Sequence, residues 1–321
     1  MIIVPEAMCP ELVGRKEAFD AVEAIFAAMA RGEAYNFPVV REAIGHADAL
    51  YGFKSGFDRA GLVLGVKSGG YWPGNAAKEL TNHQSTVFLF DPDSGQLSAL
   101  VGGNYLTAAR TAASSAVSIA HLARQDAKVL GMVGAGHQAG FQLRAAAEQR
   151  SFEKVVAWNY HPNMLPGLAK VAEEIGLPFE AVDRETLGAQ ADVIITITSS
   201  FEAQLMVDWI KPGTHIACMG TDTKGKQEVD AALLVRATVF TDEVAQSISI
   251  GEAQHAIAAG LIDETAITPI GAVINGDHPG RQSADEITLF DGTGVGLQDL
   301  AVASVAARRA VETGKVTPFD L

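Results

Sequence analysis

The spacing with the clearest chemical meaning is Gly134-x-Gly136-x-x-Ala139, directly after the apolar run KVLGMV and opening the helical segment FQLRAAAEQR. The first glycine permits a tight turn, and the second lets a pyrophosphate approach the backbone. The small third residue lets helix and strand pack closely, and the helix N-terminus favours phosphate charge. Glycine-rich turns are common, but inside a strand–turn–helix–strand unit the pattern points to a dinucleotide. The position about 20 residues further on normally carries an acid for the ribose, or an arginine where a 2′-phosphate must be met. Asn159-Tyr160-His161 stands there and offers neither, so NAD(H) is expected over NADP(H).

Outside the turn each candidate has two readings. Lys67, in GVKSGG at a strand end, is either a solvated edge charge or a proton donor and carboxylate anchor that the glycines leave accessible. Arg41 and Arg110 are carboxylate clamps or surface ion pairs. Arg110 stands out because it reads as opening an Ala/Ser/Thr helix expected over 107–123, at an end that attracts anions. Asp222, in MGTDTKGK past the strand THIACMG, is a turn former or a residue facing the nicotinamide. Asp291, in FDGTGVG, has the same two readings, with the turn favoured. His83 is one of eight histidines and reads more readily as a structural residue. Glu252 and His255 form a single E-x-x-H; a di-metal site needs that motif twice, so it reads as a solvated helix face. H-E-x-x-H, a Walker-type lysine and G-x-S-x-G do not occur, which sets aside metal and serine-hydrolase chemistry.

These residues need elements to position them. The 321 residues, 48% hydrophobic and 19% charged, have room for two domains. Residues 15–31 repeat apolar positions at helical spacing. Across 37–100 short strands follow (GLVLGVK, STVFLFD, QLSALVGG), with DPDSG as a hairpin turn. From KVLGMV onward strands alternate with helices (KVVAW, PFEAV, DVIITIT, THIACMG, TVFTD), predicting a parallel sheet covered on both faces. The fold expected is α/β: a Rossmann doubly wound parallel sheet over 113–298, plus a discontinuous α+β substrate-binding and dimerisation domain from 1–112 and the Ala-rich 299–321. A net charge of −14 argues against nucleic acid and anionic membrane as partners. Two cysteines without paired spacing suit a reducing compartment, the first residues lack an export signal, and no run reaches the ~18 apolar residues of a membrane span. A cytoplasmic protein is expected.

Taken in order, LTAARTAASSAVSIAHLAR, GAGHQAG, GTDTKGKQEVD and FDGTGVGLQDLA, with Arg41 and the GVK at Lys67, resemble the ornithine cyclodeaminase/μ-crystallin family over nearly the whole chain. The resemblance implies a homodimer that pairs N-terminal sheets, each subunit with an NAD-binding Rossmann domain. It implies that Arg41, Lys67 and His83 contact the substrate, that Arg110 holds its carboxylate or the cofactor phosphates, and that Asp222 sits beside the reacting carbon. The dinucleotide set it implies is Asn82, Arg110, Thr111, Gly134, Ala135, Gly136, His137, Gln138, Asn159, Thr198, Ser199, Met219, Thr221 and Asp291, with no metal. The segment beginning Asn82-His83-Gln84 is similar to the ketimine reductase branch, whereas Asp222 is similar to cyclodeaminases and alanine dehydrogenases. The mixture implies NADH-dependent reduction of a small acyclic α-imino acid, and a resemblance among such enzymes implies iminosuccinate going to L-aspartate. The alternatives are a cyclodeaminase with catalytic NAD and a non-catalytic dinucleotide carrier.

Overall fold

Glycines inside two neighbouring strands decide how the first part of the chain packs. In the computed structural model, which describes residues 1–319, the chain divides into Met1–Arg110 with Val295–Leu321, and Thr111–Gly294. The last two positions of the expected 299–321 segment lie outside the described residues.

The first unit is built on a mixed sheet. Its strands are β1 (Ile2–Val4), β2 (Ala34–Asn36), β3 (Val40–Ala43), β4 (Leu50–Asp58), β5 (Val63–Tyr71), β6 (His83–Phe90) and β7 (Leu97–Gly102). The order is β1-β7-β6-β5-β4-β2, with β3 beside β4 and the short strand Thr317–Pro318 outside β1. The expected hairpin joins β6 to β7, and Asp91 Oδ1 accepts from the backbone N–H of Asp93 and Ser94. β4 is a nine-residue strand that the sequence reading passed over, because its glycines depress strand propensity. Packing explains them: a Cβ on Gly56 or Gly65 would stand about 3 Å from Leu297 or Leu300 of the closing helix Gly296–Glu312. Their absence lets that helix lie directly on the sheet. The expected Arg15–Ala30 helix buries Ala18, Val22, Ile25 and Phe26 and packs against the closing helix.

The helix Asn104–Leu122 begins earlier than the 107–123 expected from its composition. Glu6, far away in sequence, accepts from the backbone N–H of Asn104 (3.0 Å) and Tyr105 (2.6 Å), supplying the cap. Arg110 therefore lies inside this helix and not at its opening, which corrects the expectation that it meets an anion at a helix end.

The second unit is the expected doubly wound sheet. Its strands are β8 (Val129–Val133), β9 (Lys154–Trp158), β10 (Phe179–Ala181), β11 (Val193–Thr196), β13 (His215–Cys218), β15 (Thr238–Thr241), β16 (Ile267–Pro269) and β17 (Thr288–Asp291); β12 (Phe201–Leu205) and β14 (Gln227–Val229) form a separate pair. The large sheet runs β10-β9-β8-β11-β13-β17-β15-β16, every neighbour parallel. β11, β13 and β17 are buried at every position, as strands covered on both faces must be. The order reverses between β8 and β11, so the crevice where such sheets bind ligands opens at the ends of those strands.

Candidate active site

In the first unit the register gathers the basic candidates. Directly opposed residues of antiparallel strands point to the same face, and faces alternate along each strand. Lys67 pairs with Lys54, Gly52 with Arg41, and Tyr71 with His83, so Arg41, Lys54, Lys67 and His83 share one face. The closing helix covers that face through Leu297 and Leu300 and brings Asp299 to Lys67. Lys67 Nζ lies 2.7 Å from Asp299 Oδ2, and Arg110 Nε donates to Asp299 Oδ1 at 3.0 Å. A further Arg110 nitrogen donates to Gln298 at 2.9 Å. The solvated-edge reading of Lys67 does not hold: it is 6% exposed, beneath the closing helix.

Burial pushes the Lys67 ammonium down to about 7; Asp299 pulls the other way, while Arg110 and Lys54 push it further down. Burial alone would raise Asp299, but Arg110 and then Lys67 outweigh it and hold the carboxyl low. Burial, aided by the charge on Lys67, takes His83 down to about 3, so its ring is neutral at ordinary pH. Asn82 is engaged within its own loop, accepting from the Ala76 N–H and donating to the Tyr71 hydroxyl.

In the second unit Gly134 has φ +112°, and a Cβ there would come within 2.6 Å of the Ile197 carbonyl, so only glycine fits at the switch point. Gly136 differs: an added Cβ would meet no protein atom within 4 Å. The fold does not require that glycine, and the space beside it is open to a ligand approaching the backbone. Gly136 and His137 are exposed, Ala135 and Gln138 half-buried, and Gln138 Oε1 is buried with no hydrogen-bond partner. Asn159 Oδ1 accepts from the Ala135 N–H at 2.9 Å, and its amide donates to the His161 carbonyl, so it ties the end of β9 to the glycine turn. An open cradle, an orphaned acceptor and a helix N-terminus at Ala139 fit a dinucleotide.

The loops after β11 and β13 hang from two buried acids. Glu228 accepts from Thr198 N–H (2.6 Å), Thr198 Oγ1 (2.8 Å), Thr196 Oγ1 (2.7 Å) and Gly220 N–H (2.8 Å). Glu252 accepts from Thr221 Oγ1 at 2.5 Å and from the Glu228 and Val229 N–H groups at 2.8 Å. This corrects the solvated-face reading of Glu252, which is 1% exposed because it precedes its helix and turns inward to these donors. Asp291 is fully buried and accepts from Ser247 Oγ and the Glu252 N–H. Asp222 stands half-buried beyond β13, 2.8 Å from Lys226 Nζ. Met219 and Thr111 are buried and Ser199 is exposed.

The sequence reading missed Asp299, Lys54 and Glu228, and set Glu252 aside as solvated. An acid in the first turn of a helix, as Asp299 is, ordinarily serves the helix dipole, so its type gave no signal. Among the described residues no group of three or more His, Cys, Asp or Glu could hold a metal, and no helix is long and apolar enough to cross a membrane.

The profile of the ornithine cyclodeaminase/mu-crystallin family matches residues 6–314. The iminosuccinate reductase of Paracoccus denitrificans is 65% identical over 321 residues, covering all of both chains. The crystal structure of the iminosuccinate reductase of Paracoccus denitrificans in complex with NAD+ superposes with a TM-score of 0.96 at 63% identity, covering 100% of this chain and 99% of that one. The Δ(1)-pyrroline-2-carboxylate reductase of Thermococcus litoralis, solved with NADH and L-proline, superposes with a TM-score of 0.93 at 27% identity, covering 99% and 100%. With that profile matched over residues 6–314, the chain belongs to the ornithine cyclodeaminase/mu-crystallin family.

Proposed function

We propose that this protein is an NADH-dependent reductase of small α-imino acids that converts iminosuccinate to L-aspartate. The observation that carries this reading is the 65% identity over the full length to an iminosuccinate reductase. The chemistry of the two units agrees with it.

Bound at the glycine turn, NADH supplies the hydride that an electrophilic imine carbon accepts. Gly134, Ala135, Gly136, His137 and Gln138 receive the pyrophosphate; Asn159 holds the ribose end; Thr198, Ser199, Met219, Thr221 and Asp291 form or support the nicotinamide end. In the first unit Arg110 and Arg41 orient the carboxylate next to the imine. Lys67 gives a proton to the imine nitrogen, and carbon and nitrogen together gain one hydride and one proton to become the amine. A lysine near 7 can do this at ordinary pH, since it is substantially protonated yet tolerates the neutral form in its buried place. Asp299 keeps the protonated form available, neutral His83 offers the substrate a polar contact, and Asp222 is the acid assigned to the reacting carbon.

The protein acts as a homodimer in the cytoplasm. Opposite the Lys67 face the same sheet exposes Val40, Tyr51 and Phe53, a pairing surface for a second copy. Both cysteines are buried and unlinked, as suits a reducing compartment. The test is NADH oxidation with oxaloacetate plus ammonium, a source of iminosuccinate, with aspartate quantified. Stoichiometric aspartate supports the reading. Ammonia release from ornithine without net NADH consumption would replace it with a cyclodeaminase, and dinucleotide binding without turnover with a carrier.

A further inference from the structure

In the second unit one side chain ties together two loops at the carboxyl ends of the parallel strands. Asn159 and the glycine turn lie on the β8–β9 side of the switch point, so a dinucleotide seated there extends its other half across the ends of β11 and β13. The chain leaves β11 through residues 197–200 into β12, and leaves β13 through residues 219–226 into β14. Glu228 stands in β14, fully buried. Its Oε1 accepts from the Thr198 N–H and hydroxyl, and its Oε2 from the Thr196 hydroxyl and the Gly220 N–H. One oxygen thus serves the first loop, and the other joins the end of β11 to the second loop. The loops approach so closely there that a Cβ on Gly220 would stand 2.2 Å from the Thr198 carbonyl oxygen. Glu252 holds the backbone behind this carboxylate by accepting from the Glu228 N–H. Burial pushes the Glu228 carboxyl up, and its donors pull it back.

We propose that Glu228 is a positioning residue, which sets the separation of the Thr198 and Gly220 loops and so fixes the nicotinamide half of the dinucleotide for hydride transfer. This rests on the NADH-dependent imine-reductase reading above. A backbone N–H, which can only donate, faces each oxygen of the carboxylate. An amide in its place would turn its NH2 toward a backbone N–H in either orientation, and one of the two loops would lose its tether. Hydride transfer is sensitive to such a loss, because a misplacement of about 1 Å can cost a hundredfold in rate. The hold on the pyrophosphate is not, since Glu228 makes no hydrogen bond to residues 134–138.

The experiment compares wild type with Glu228→Gln in three measurements. The first is kcat for NADH oxidation with oxaloacetate plus ammonium. The second is the Kd of ADP-ribose, which carries the pyrophosphate and lacks nicotinamide. The third is the fast depolarisation of the fluorescence of bound NADH, which reports local motion of the nicotinamide ring. The expected result is that kcat falls at least about tenfold, the ADP-ribose Kd stays within about threefold of wild type, and the fast depolarisation grows. An unchanged kcat overturns the proposal. So does ADP-ribose binding that weakens in step with kcat, which would make Glu228 a support of the fold alone. If wild type does not oxidise NADH with this mixture, the imine-reductase reading fails, and Glu228 is judged by the two binding measurements; equal depolarisation in both proteins then overturns the proposal. Should Glu228→Gln not fold, Glu228→Asp replaces it in every measurement, its side chain one methylene too short to reach both loops.

Discussion

Lys67 Nζ and Asp299 Oδ2 meet at 2.7 Å with both side chains almost sealed from solvent, at 7% and 1% exposure. The two come from near opposite ends of the chain, and Arg110 holds the other oxygen of the same carboxylate. A buried carboxylate between two buried cations is an asymmetric arrangement. Removing the acid strands two charges, whereas removing either base leaves the acid one partner.

The asymmetry makes Asp299→Asn the more damaging substitution. It should lower stability by about 3–5 kcal/mol, the scale on which breaking a buried pair operates, and cut kcat/KM by more than about tenfold. Asp299 raises the Lys67 pKa. Without it Lys67 loses its proton at lower pH, so the alkaline fall in imine reduction should move downward in the variant. Comparing pH profiles with one substrate cancels the titration of the substrate itself. An alkaline limb that stays in place would show that Lys67 is not the acid.

Lys67→Ala should behave differently. Asp299 retains Arg110, so the fold and dinucleotide binding should survive while turnover falls by more than about tenfold. Fluorescence titration with NADH and steady-state kinetics separate the two. Wild-type kcat/KM in this variant would return Lys67 to a structural ion pair.

How much of this was legible follows the range of the interactions. The glycine turn, the alternating strands and the β6–β7 hairpin depend on neighbours within a few residues, and local spacing carried them. β4 did not show, because Gly56 exists to admit Leu297 from the other end of the chain. The start of the Asn104–Leu122 helix did not show, because its cap is Glu6. Lys67 was visible as a candidate, but its burial was not, since that comes from Asp299 and the closing helix. Glu252 looked solvated because an isolated E-x-x-H says nothing about the Glu228 and Val229 amides it accepts from.

Burial, with the nearby charge of Glu228, pushes Glu252 from 4.5 to about 8. The folded protein therefore holds a proton there that the unfolded chain releases near 4.5. This contribution to stability is complete below that pH and is lost as pH rises through about 8. Glu252→Gln keeps an oxygen for the Glu228 and Val229 amides and removes the titration. The melting temperature of the variant relative to wild type should thus climb between pH 5 and pH 8.5. Asp291, pushed up by burial to about 7, also titrates in this range and its charge raises Glu252, so the climb reports the two coupled acids together. A pH-independent difference in differential scanning calorimetry would mean that Glu252 is ionised throughout.

Cofactor choice should turn on the residues after β9. Asn159 is committed to the Ala135 N–H and the His161 carbonyl, and Tyr160 projects into solvent at 77% exposure, so neither presents a cation to a ribose phosphate. A 2′-phosphate would bring up to two negative charges to a protein of net charge −14, with His161 as the one titratable base in the segment. NADH should therefore give the higher kcat/KM at pH 7.5. Tyr160→Arg places a guanidinium where this fold usually meets the 2′-phosphate. Because the position is exposed, stability should change little, within about 0.5 kcal/mol. A charge-assisted contact to phosphate is worth about 1.5–3 kcal/mol, so the NADPH-to-NADH ratio should rise by about tenfold or more. The gain should shrink as salt is added, because the contact is solvent-exposed. Steady-state kinetics with both dinucleotides in low and high salt check each step, and a wild type that prefers NADPH would overturn the assignment of this segment as the ribose end.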